Sequence, residues 1–166
     1  PDYLSGAEVG KFDVWKHALE SCEKIYNEEY DVFVDLDCTN PLRDTSDISN
    51  TIKQLLNSIE RGVDTVFTIC DARKNPYFNM VEKDDNGALI MSKTLGPTIV
   101  RRQSAPPVYE HVASIYAMLP QHIKKNDHLL SGHAEGYDIG FQKSLDVDSD
   151  FDFNLVEYLM KIKHSL

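Results

Sequence analysis

The stretch DVFVDLDCTNPLRDTSDISNTIKQLLNSIERGVDTVFTIC, residues 31–70, decides the fold. Its two ends, 31–36 and 65–70, are short runs of apolar and β-branched residues, which are typical of buried strands in a parallel sheet. Between them, apolar residues recur every three or four positions over 46–61, which predicts a helix that Gly62 closes as its C-cap. A strand, a helix and a strand at this spacing predict a right-handed βαβ unit.

This unit also predicts where a ligand binds. In an open α/β sheet, ligands bind beyond the carboxyl ends of the strands. Residues 37–43 and 71–75 directly follow the two strands, so we expect both segments at the functional edge of the sheet. The fold class expected from this pattern is α/β with a mostly parallel sheet.

The flanking sequence supplies further elements. Apolar periodicity predicts a helix over 12–27, strands over 111–118 and 137–141, and a closing helix over 150–163 with Phe153, Val156, Leu159, Met160 and Ile162 facing inward. The middle of the chain is less regular, because Asp84-Asp85-Asn86-Gly87 is typical of a hairpin turn and Pro106-Pro107 excludes a helix. We therefore expect an excursion from the main sheet.

Size and composition limit the class of protein. A chain of 166 residues with 42% hydrophobic residues is large enough for one domain over 1–166. The net charge of −10 argues against a nucleic-acid partner. No apolar run approaches the length of a membrane span, so we expect no membrane association and a cytoplasmic location. Three cysteines without CxxC spacing argue against a disulfide framework and a zinc ribbon.

Two carboxylates stand just before the closing helix, in SLDVDSDFDF, residues 144–153. On an extended strand, Asp146 and Asp148 would point to the same face and could bind one hard cation together with substrate phosphate oxygens. The next two carboxylates, Asp150 and Asp152, need no such role, since acidic residues stabilise a helix N-terminus.

The pattern Asp35-Leu36-Asp37-Cys38-Thr39 at the end of a strand allows a different enzyme. It resembles the DxDxT motif of haloacid-dehalogenase-type phosphatases, in which the first Asp attacks phosphorus and the second acts as acid and base. Cys38 stands where that motif usually has Gly, and a matching downstream lysine and acidic pair are not evident. The phosphatase is the alternative hypothesis.

A second resemblance extends over most of the chain. It is carried by LDCTNPLR (36–43), NPYFNMVE (75–82), RRQSAPPVY (101–109), ASIY (113–116) and SLDVD (144–148). In order and spacing these segments resemble the CMP-sialic acid (acylneuraminate) cytidylyltransferases, closest to the branch that acts on nonulosonic acids such as legionaminic acid.

The resemblance implies a Rossmann-like three-layer sandwich and a reaction. The anomeric hydroxyl of a nonulosonic acid would attack the α-phosphorus of CTP, and pyrophosphate would leave. Asp146 and Asp148 match the family's metal-binding pair, which implies catalytic carboxylates that hold Mg²⁺ or another divalent cation.

The resemblance also implies substrate contacts. Asp37 and Arg43 frame the loop that contacts the sugar, while Arg102 and Gln103 match a basic-Gln element whose guanidinium suits a substrate carboxylate. Two alternatives stay open. Arg43 could pair with Asp44 or Asp47, and the arginines at 101–102 could be solvated surface charge.

The departures from the family pattern matter as well. Asn40 and Val112 replace a Ser and an Asn that many relatives carry in their sugar-binding segments. The family's Gly-rich, basic nucleotide-binding loop has no counterpart here, so we expect an upstream part in the natural protein and no activity from these residues by themselves. The family pairs through its excursion, about 72–120 here, which predicts a homodimer. A catalytically inert dimerisation module is a third hypothesis.

Overall fold

Helices and strands alternate along most of the chain. The computed structural model describes residues 1–6, 8–96 and 99–163. The elements are α1 Lys11–Tyr26, β1 Phe33–Leu36, α2 Thr45–Ser58, β2 Thr65–Asp71, β3 Val81–Lys83, β4 Leu89–Met91, β5 Tyr109–Met118, α3 Pro120–Lys125, β6 Ala134–Asp138 and α4 Asp150–Lys163. The long helices and the strands at 31–36, 65–70 and 111–118 are confirmed, whereas β6 begins three residues earlier than predicted and α3 was missed. Within the described residues, no helix is long and apolar enough to cross a membrane.

The main sheet has the strand order β1-β5-β2-β6. β2 and β6 are parallel, and β5 is antiparallel to both β1 and β2. Three of the four strands therefore run in one direction. β1 and β2 are not neighbours, because β5 lies between them, so two of the three strand pairings are antiparallel. The chain re-enters the sheet from the carboxyl edge after its excursion, and it must therefore run back against the other strands.

Two helical layers cover the sheet. Phe12, Trp15 and Leu19 of α1 pack with Ile123 of α3 against one face, on Phe67, Tyr116 and Met118. On the opposite face, Leu55 of α2 packs against Val66 and Ala117. The three-layer sandwich is thus confirmed, and its carboxyl edge remains open for a site.

A bulge in β5 shapes that edge. Phe67 of β2 pairs with Tyr116, but Ile69, only two residues later, pairs with His111. The extra β5 residues are held by the buried Thr68 hydroxyl, which donates to the Val112 carbonyl at 2.7 Å and accepts the Ile115 N–H at 2.9 Å. The bulge brings the Ser114 carbonyl to the end of β1, where it accepts the Asp37 N–H at 3.1 Å.

The excursion is shorter than the predicted range of 72–120. β5 belongs to the main sheet, so the part of the chain that leaves it is 72–108. This part contains the separate β3–β4 hairpin, which turns at Gly87 with a φ of 81°. Residues 97–98 lie outside the described residues.

α4 is less buried than its apolar pattern predicts. Val156 is buried at 4% exposure, but Phe153 is 57% exposed and Met160 is 37% exposed. The prediction that Phe153, Met160 and Ile162 face inward was wrong, because α4 lies over an open cleft of about 780 Å³ rather than a closed core. The other wall of this cleft is formed by Cys38, Thr39 and Pro41.

Candidate active site

The predicted catalytic segment lies against the loop that follows β1. Residues 144–148 have no regular secondary structure, so the extended strand assumed for Asp146 and Asp148 is not formed. Two hydrogen bonds fasten the segment instead. The Asn40 Nδ2 donates to the Leu145 carbonyl at 2.9 Å, and the Val147 N–H donates to the Thr39 carbonyl at 2.9 Å. The carboxylate segment and the predicted sugar-binding loop, distant in sequence, therefore form one structure.

A lysine fixes the position from which this segment starts. Lys143 Nζ lies 2.8 Å from Asp44 Oδ2 and 2.7 Å from Asp47 Oδ2, at the N-terminus of α2. Burial by itself would lower the pKa of Lys143, but the hydrogen bonds to Asp44 and Asp47 outweigh it and raise that pKa. The ion pair connects residue 143 to α2 and so sets where 144–148 crosses the edge of the sheet.

Arg43 stabilises the loop after β1 through hydrogen bonds to the loop backbone. Its Nη1 donates to the backbone carbonyls of Asp37 and Asn40, each at 2.6 Å. Lys143 pairs with both Asp44 and Asp47, so the alternative that Arg43 pairs with one of them gains no support and stays a prediction. A sugar contact by Arg43 stays a prediction, and its guanidinium is already engaged by the loop backbone.

Asp37, the predicted sugar contact, is bound to an unpredicted partner. Lys11 Nζ lies 2.5 Å from Asp37 Oδ2 and 3.1 Å from Asp35 Oδ2. Thr39 donates to the other Asp37 oxygen through its hydroxyl at 3.0 Å and its N–H at 3.3 Å. Burial would raise the pKa of the Asp37 carboxyl, but the hydrogen bonds from Lys11 and Thr39 outweigh it and lower that pKa. Asp37 is therefore held in its ionised form.

Two aromatic side chains lie beneath this ion pair. The Lys11 ammonium is 4.6 Å from the ring centre of Tyr116, and the Tyr116 ring makes an edge contact with His111 at 5.5 Å. Tyr116 is buried, which raises the pKa of its hydroxyl; the charge of Lys11 lowers that pKa, and the charges of Asp37, Asp35 and Asp146 raise it. The pKa of His111 is lowered by burial and by the charge of Lys11. Carboxylates from β1, from the loop after it and from the 144–148 segment thus act on one buried hydroxyl.

Sequence reasoning missed Lys11, although a signal was present. The predicted helix was started at Phe12, which left Lys11 outside it, whereas α1 begins at Lys11. A cation at a helix N-terminus opposes the helix dipole, so a lysine there indicates a compensating partner elsewhere in the fold. Tyr116, the last residue of the ASIY segment, is buried against Trp15, with ring centres 5.3 Å apart.

We expect Lys11→Met to raise the pKa of the Asp37 carboxyl, since burial remains while the strongest donor is lost. A folded pKa below the unfolded one gives a stabilising contribution at pH values above the unfolded pKa, and this contribution is lost as the pH falls through the folded pKa. The variant should therefore begin acid unfolding at a higher pH. Carboxyl ¹³C NMR titration would measure the Asp37 pKa directly.

Lys16→Met is the matched control, because Lys16 lies on the same helix and pairs with the exposed Asp127. It should leave the Asp37 titration unchanged. An Asp37 pKa that is the same in Lys11→Met and in the natural chain would show that the ammonium does not control this carboxyl.

The two carboxylates predicted to bind a metal, Asp146 and Asp148, differ in exposure. Asp146 is half-buried and its Oδ1 accepts the Val147 N–H at 3.0 Å, while Asp148 is exposed. Among the described residues, no group of three or more His, Cys, Asp or Glu side chains is arranged to hold a metal. Two carboxylates completed by water and substrate phosphate oxygens are nevertheless a usual set of ligands for Mg²⁺. The donor chemistry fits an ion that is bound together with a nucleotide.

Arg102 and Gln103 lie at the end of β2 rather than beside the carboxylate segment. They line a cleft of about 390 Å³ with Asp71 and Asn75. The Arg102 Nη2 donates to the carbonyls of Ala72 and Arg73 at 3.2 and 3.1 Å. The ends of β1 and β2 are two strand positions apart, about 10 Å by ordinary strand spacing. Both groups are thus on the same edge of the sheet, in separate clefts.

Known proteins similar to this chain point to one enzyme family. No family model matches the chain. It is 33% identical over 162 residues to post-translational flagellin modification protein B of Campylobacter coli, and 30% identical over 162 residues to CMP-N,N'-diacetyllegionaminic acid synthase of Campylobacter jejuni. Each match covers 98% of this chain and 66% of the relative, so the chain spans about two thirds of the length of these relatives.

A solved structure supports the fold. 4-Diphosphocytidyl-2C-methyl-D-erythritol synthase from Anaerococcus prevotii matches 95% of this chain and 67% of its own, with a TM-score of 0.56 and 10% identity. At that identity the match shows a shared Rossmann-like α/β fold. The sequence matches over nearly the whole chain identify the line of descent. The chain belongs to the CMP-sialic acid (acylneuraminate) cytidylyltransferase family.

Proposed function

We propose that the chain carries the metal-binding and sugar-acid side of an enzyme that transfers CMP from CTP to a nonulosonic acid. The observation that carries this proposal is the attachment of 144–148 to the loop after β1 by two hydrogen bonds. It joins the predicted metal pair to Asp37, the predicted sugar contact. The similarity to a CMP-N,N'-diacetyllegionaminic acid synthase supports a substrate of the same chemical class.

The chemistry is a displacement at phosphorus. The anomeric hydroxyl of the sugar acid gives up its proton to solvent, its oxygen forms a bond to the α-phosphorus of CTP, the bond from that phosphorus to the bridging oxygen breaks, and pyrophosphate leaves with the electron pair. A divalent cation such as Mg²⁺, held by Asp146 and Asp148, would neutralise and orient the phosphate oxygens. The chain's own part is to fix these carboxylates, through Asn40 and Lys143, and to keep Asp37 ionised beside the sugar. An enzyme that uses CTP in this way would act in the cytoplasm.

The activity test is pyrophosphate release. In the natural protein with its upstream part, CTP, a nonulosonic acid and Mg²⁺ should yield pyrophosphate and a CMP-sugar, while a generic aryl phosphate should yield no orthophosphate. The second outcome separates the transferase from the phosphatase alternative. The structure favours the transferase, because one ammonium engages both Asp35 and Asp37, the two carboxylates that the phosphatase would need. Orthophosphate release that is lost in both Asp35→Asn and Asp37→Asn would favour the phosphatase.

We further propose that two copies pair through the excursion. The β3–β4 hairpin lies outside the main sheet, and its apolar side chains Val81, Leu89, Ile90 and Met91 are exposed. Exposed apolar groups clustered on a small hairpin are typical of a contact surface. A closed two-fold pair is the commonest assembly that would cover them.

Light scattering at micromolar concentration should give a mass of about twice 18.9 kDa. Leu89→Glu combined with Ile90→Lys should give the monomer, because charges would replace the apolar contact of the hairpin. Ile25→Glu, at an exposed apolar position on α1, is the control and should leave the pair intact. A monomer of the unsubstituted chain would exclude this pairing and, with it, the inert dimerisation module.

A further inference from the structure

Lys11 is a preorganised cation beside Asp37, the predicted sugar contact of the proposed site. Its ammonium is fixed by Asp35 and Asp37, and by the rings of Tyr116 at 4.6 Å and Trp15 at 5.7 Å. Its side chain is nevertheless 45% exposed. Long lysine side chains on a surface normally sample many rotamers, and fixing one of them on ligand binding costs conformational entropy. The four contacts already fix the Lys11 side chain, so binding a ligand to its ammonium would cost little further entropy.

The hydrogen-bonding capacity of this ammonium is incomplete. An ammonium has three N–H donors, and two of them are directed to Asp35 and Asp37. Within 1–6, 8–96 and 99–163, no third acceptor of Lys11 lies at hydrogen-bond distance. The Lys11 side chain is 45% exposed, so solvent and solutes can reach the ammonium beside Asp37. One donor therefore remains for a ligand.

The charges around the site show which ligand this donor suits. Asp35, Asp37 and Asp146 all act on the Tyr116 hydroxyl, and the chain as a whole has a net charge of −10. A sugar acid and a nucleoside triphosphate are both anions, and such a cluster repels them. Lys11 binds Asp35 and Asp37 directly, so its charge offsets part of this repulsion beside Asp37.

We propose that Lys11 is a substrate-binding residue whose third N–H binds an anionic oxygen of the substrate. This inference rests on the proposed function and deepens it. The anionic oxygen could come from the carboxylate of the sugar acid or from a phosphate of CTP. The two sources share the chemistry and differ in the probe that detects them.

The experiment measures ligand binding to the 166-residue chain by NMR and calorimetry. The probes are N-acetylneuraminic acid, its neutral methyl ester, glucuronic acid, and CTP with Mg²⁺. The variants are Lys11→Met and Lys11→Arg, and Lys16→Met serves as the control on the same helix. We expect Lys11→Met to weaken binding of N-acetylneuraminic acid at least tenfold and to leave binding of its methyl ester unchanged. Lys11→Arg should keep binding within about threefold, and Lys16→Met should have no effect.

The other possible binding results distinguish the inference about Lys11 from the proposed function. Loss of CTP binding in Lys11→Met, with acid binding kept, would support the inference and assign the anionic oxygen to the nucleotide. Unchanged binding of both anions would overturn the inference and leave the proposed function intact. Lys11-dependent binding of glucuronic acid that equals that of N-acetylneuraminic acid would support the role of Lys11 but contradict the proposed substrate class. Failure of the unsubstituted chain to bind any of the anions would overturn both.

A second measurement does not depend on the folding of Lys11→Met. In the unsubstituted chain, an anion bound to Lys11 should weaken the effect of that ammonium on His111, and the pKa of the His111 imidazole should rise. Proton NMR titration with and without saturating ligand would follow this change, with His111→Gln used for assignment. An imidazole that titrates identically in both states, although the ligand is bound, would place the anion away from Lys11 and overturn the inference.

Discussion

Replacing Asp148 by Asn should reduce the rate of CMP transfer by about 100-fold or more in the natural protein. This is the scale expected when a preorganised electrostatic group worth about 3 kcal/mol is removed from the transition state. Asp146→Asn should act similarly, because the two carboxylates would share one cation. Both losses should depend on Mg²⁺ concentration, since a neutral amide is a weaker ligand for a hard cation. Pyrophosphate release across a Mg²⁺ titration is the measurement.

Asp152→Asn is the matched control for these variants. Asp152 lies in the first turn of α4, and its Oδ2 accepts the Ser149 hydroxyl at 2.6 Å. It therefore serves the helix terminus, where loss of its charge should cost about 0.3–1 kcal/mol of stability and leave the rate nearly unchanged. Equal rate losses at Asp148 and Asp152 would show that all of these carboxylates have a structural role. Losses that do not depend on Mg²⁺ and that follow the melting temperature would show the same.

The parts of the fold that sequence predicted well are those set by local periodicity. The stripe over 46–61 predicted α2, but α2 ends at Ser58, and Gly62, with a positive φ of 80°, instead ends the short 3₁₀ helix Ile59–Arg61 that follows it. The placement of β5 between β1 and β2 could not be predicted in this way, because strand order depends on pairing between distant residues. The bulge that Thr68 holds is also a long-range feature, since its partners are 44 and 47 residues away.

The same difference between local patterns and long-range contacts applies to the candidate site. Asp37, Asp146 and Asp148 were selected from short patterns, and the charges of Asp37 and Asp146 both raise the pKa of the Tyr116 hydroxyl. Lys11 was missed because no pattern links it to Asp37, 26 residues later. The exposure of α4 was missed for a different reason, because an apolar stripe shows which face is apolar but not whether anything covers it.

The second large effect concerns stability. Asp47→Ala should lower the free energy of unfolding by about 3 kcal/mol. This is the size expected when a buried carboxylate is removed and the groups that bound it are left unpaired. The Asp47 side chain is only 6% exposed. It binds Lys143 at 2.7 Å, accepts the Asp44 N–H at 2.7 Å and accepts the Tyr137 hydroxyl at 3.3 Å. Urea unfolding followed by fluorescence of the single tryptophan, the buried Trp15, would measure the loss.

Asp44→Ala separates the buried ion pair from the helix cap. Asp44 is the N-cap of α2 and also pairs with Lys143, but its side chain is 36% exposed. Water can replace much of what it provides, so a loss of about 1 kcal/mol is expected. A loss in Asp47→Ala no larger than that in Asp44→Ala would show that desolvation of Asp47 cancels the ion pair. If the larger loss is found, Asp47 also supports the site, because Lys143 is the residue from which the segment with Asp146 and Asp148 departs.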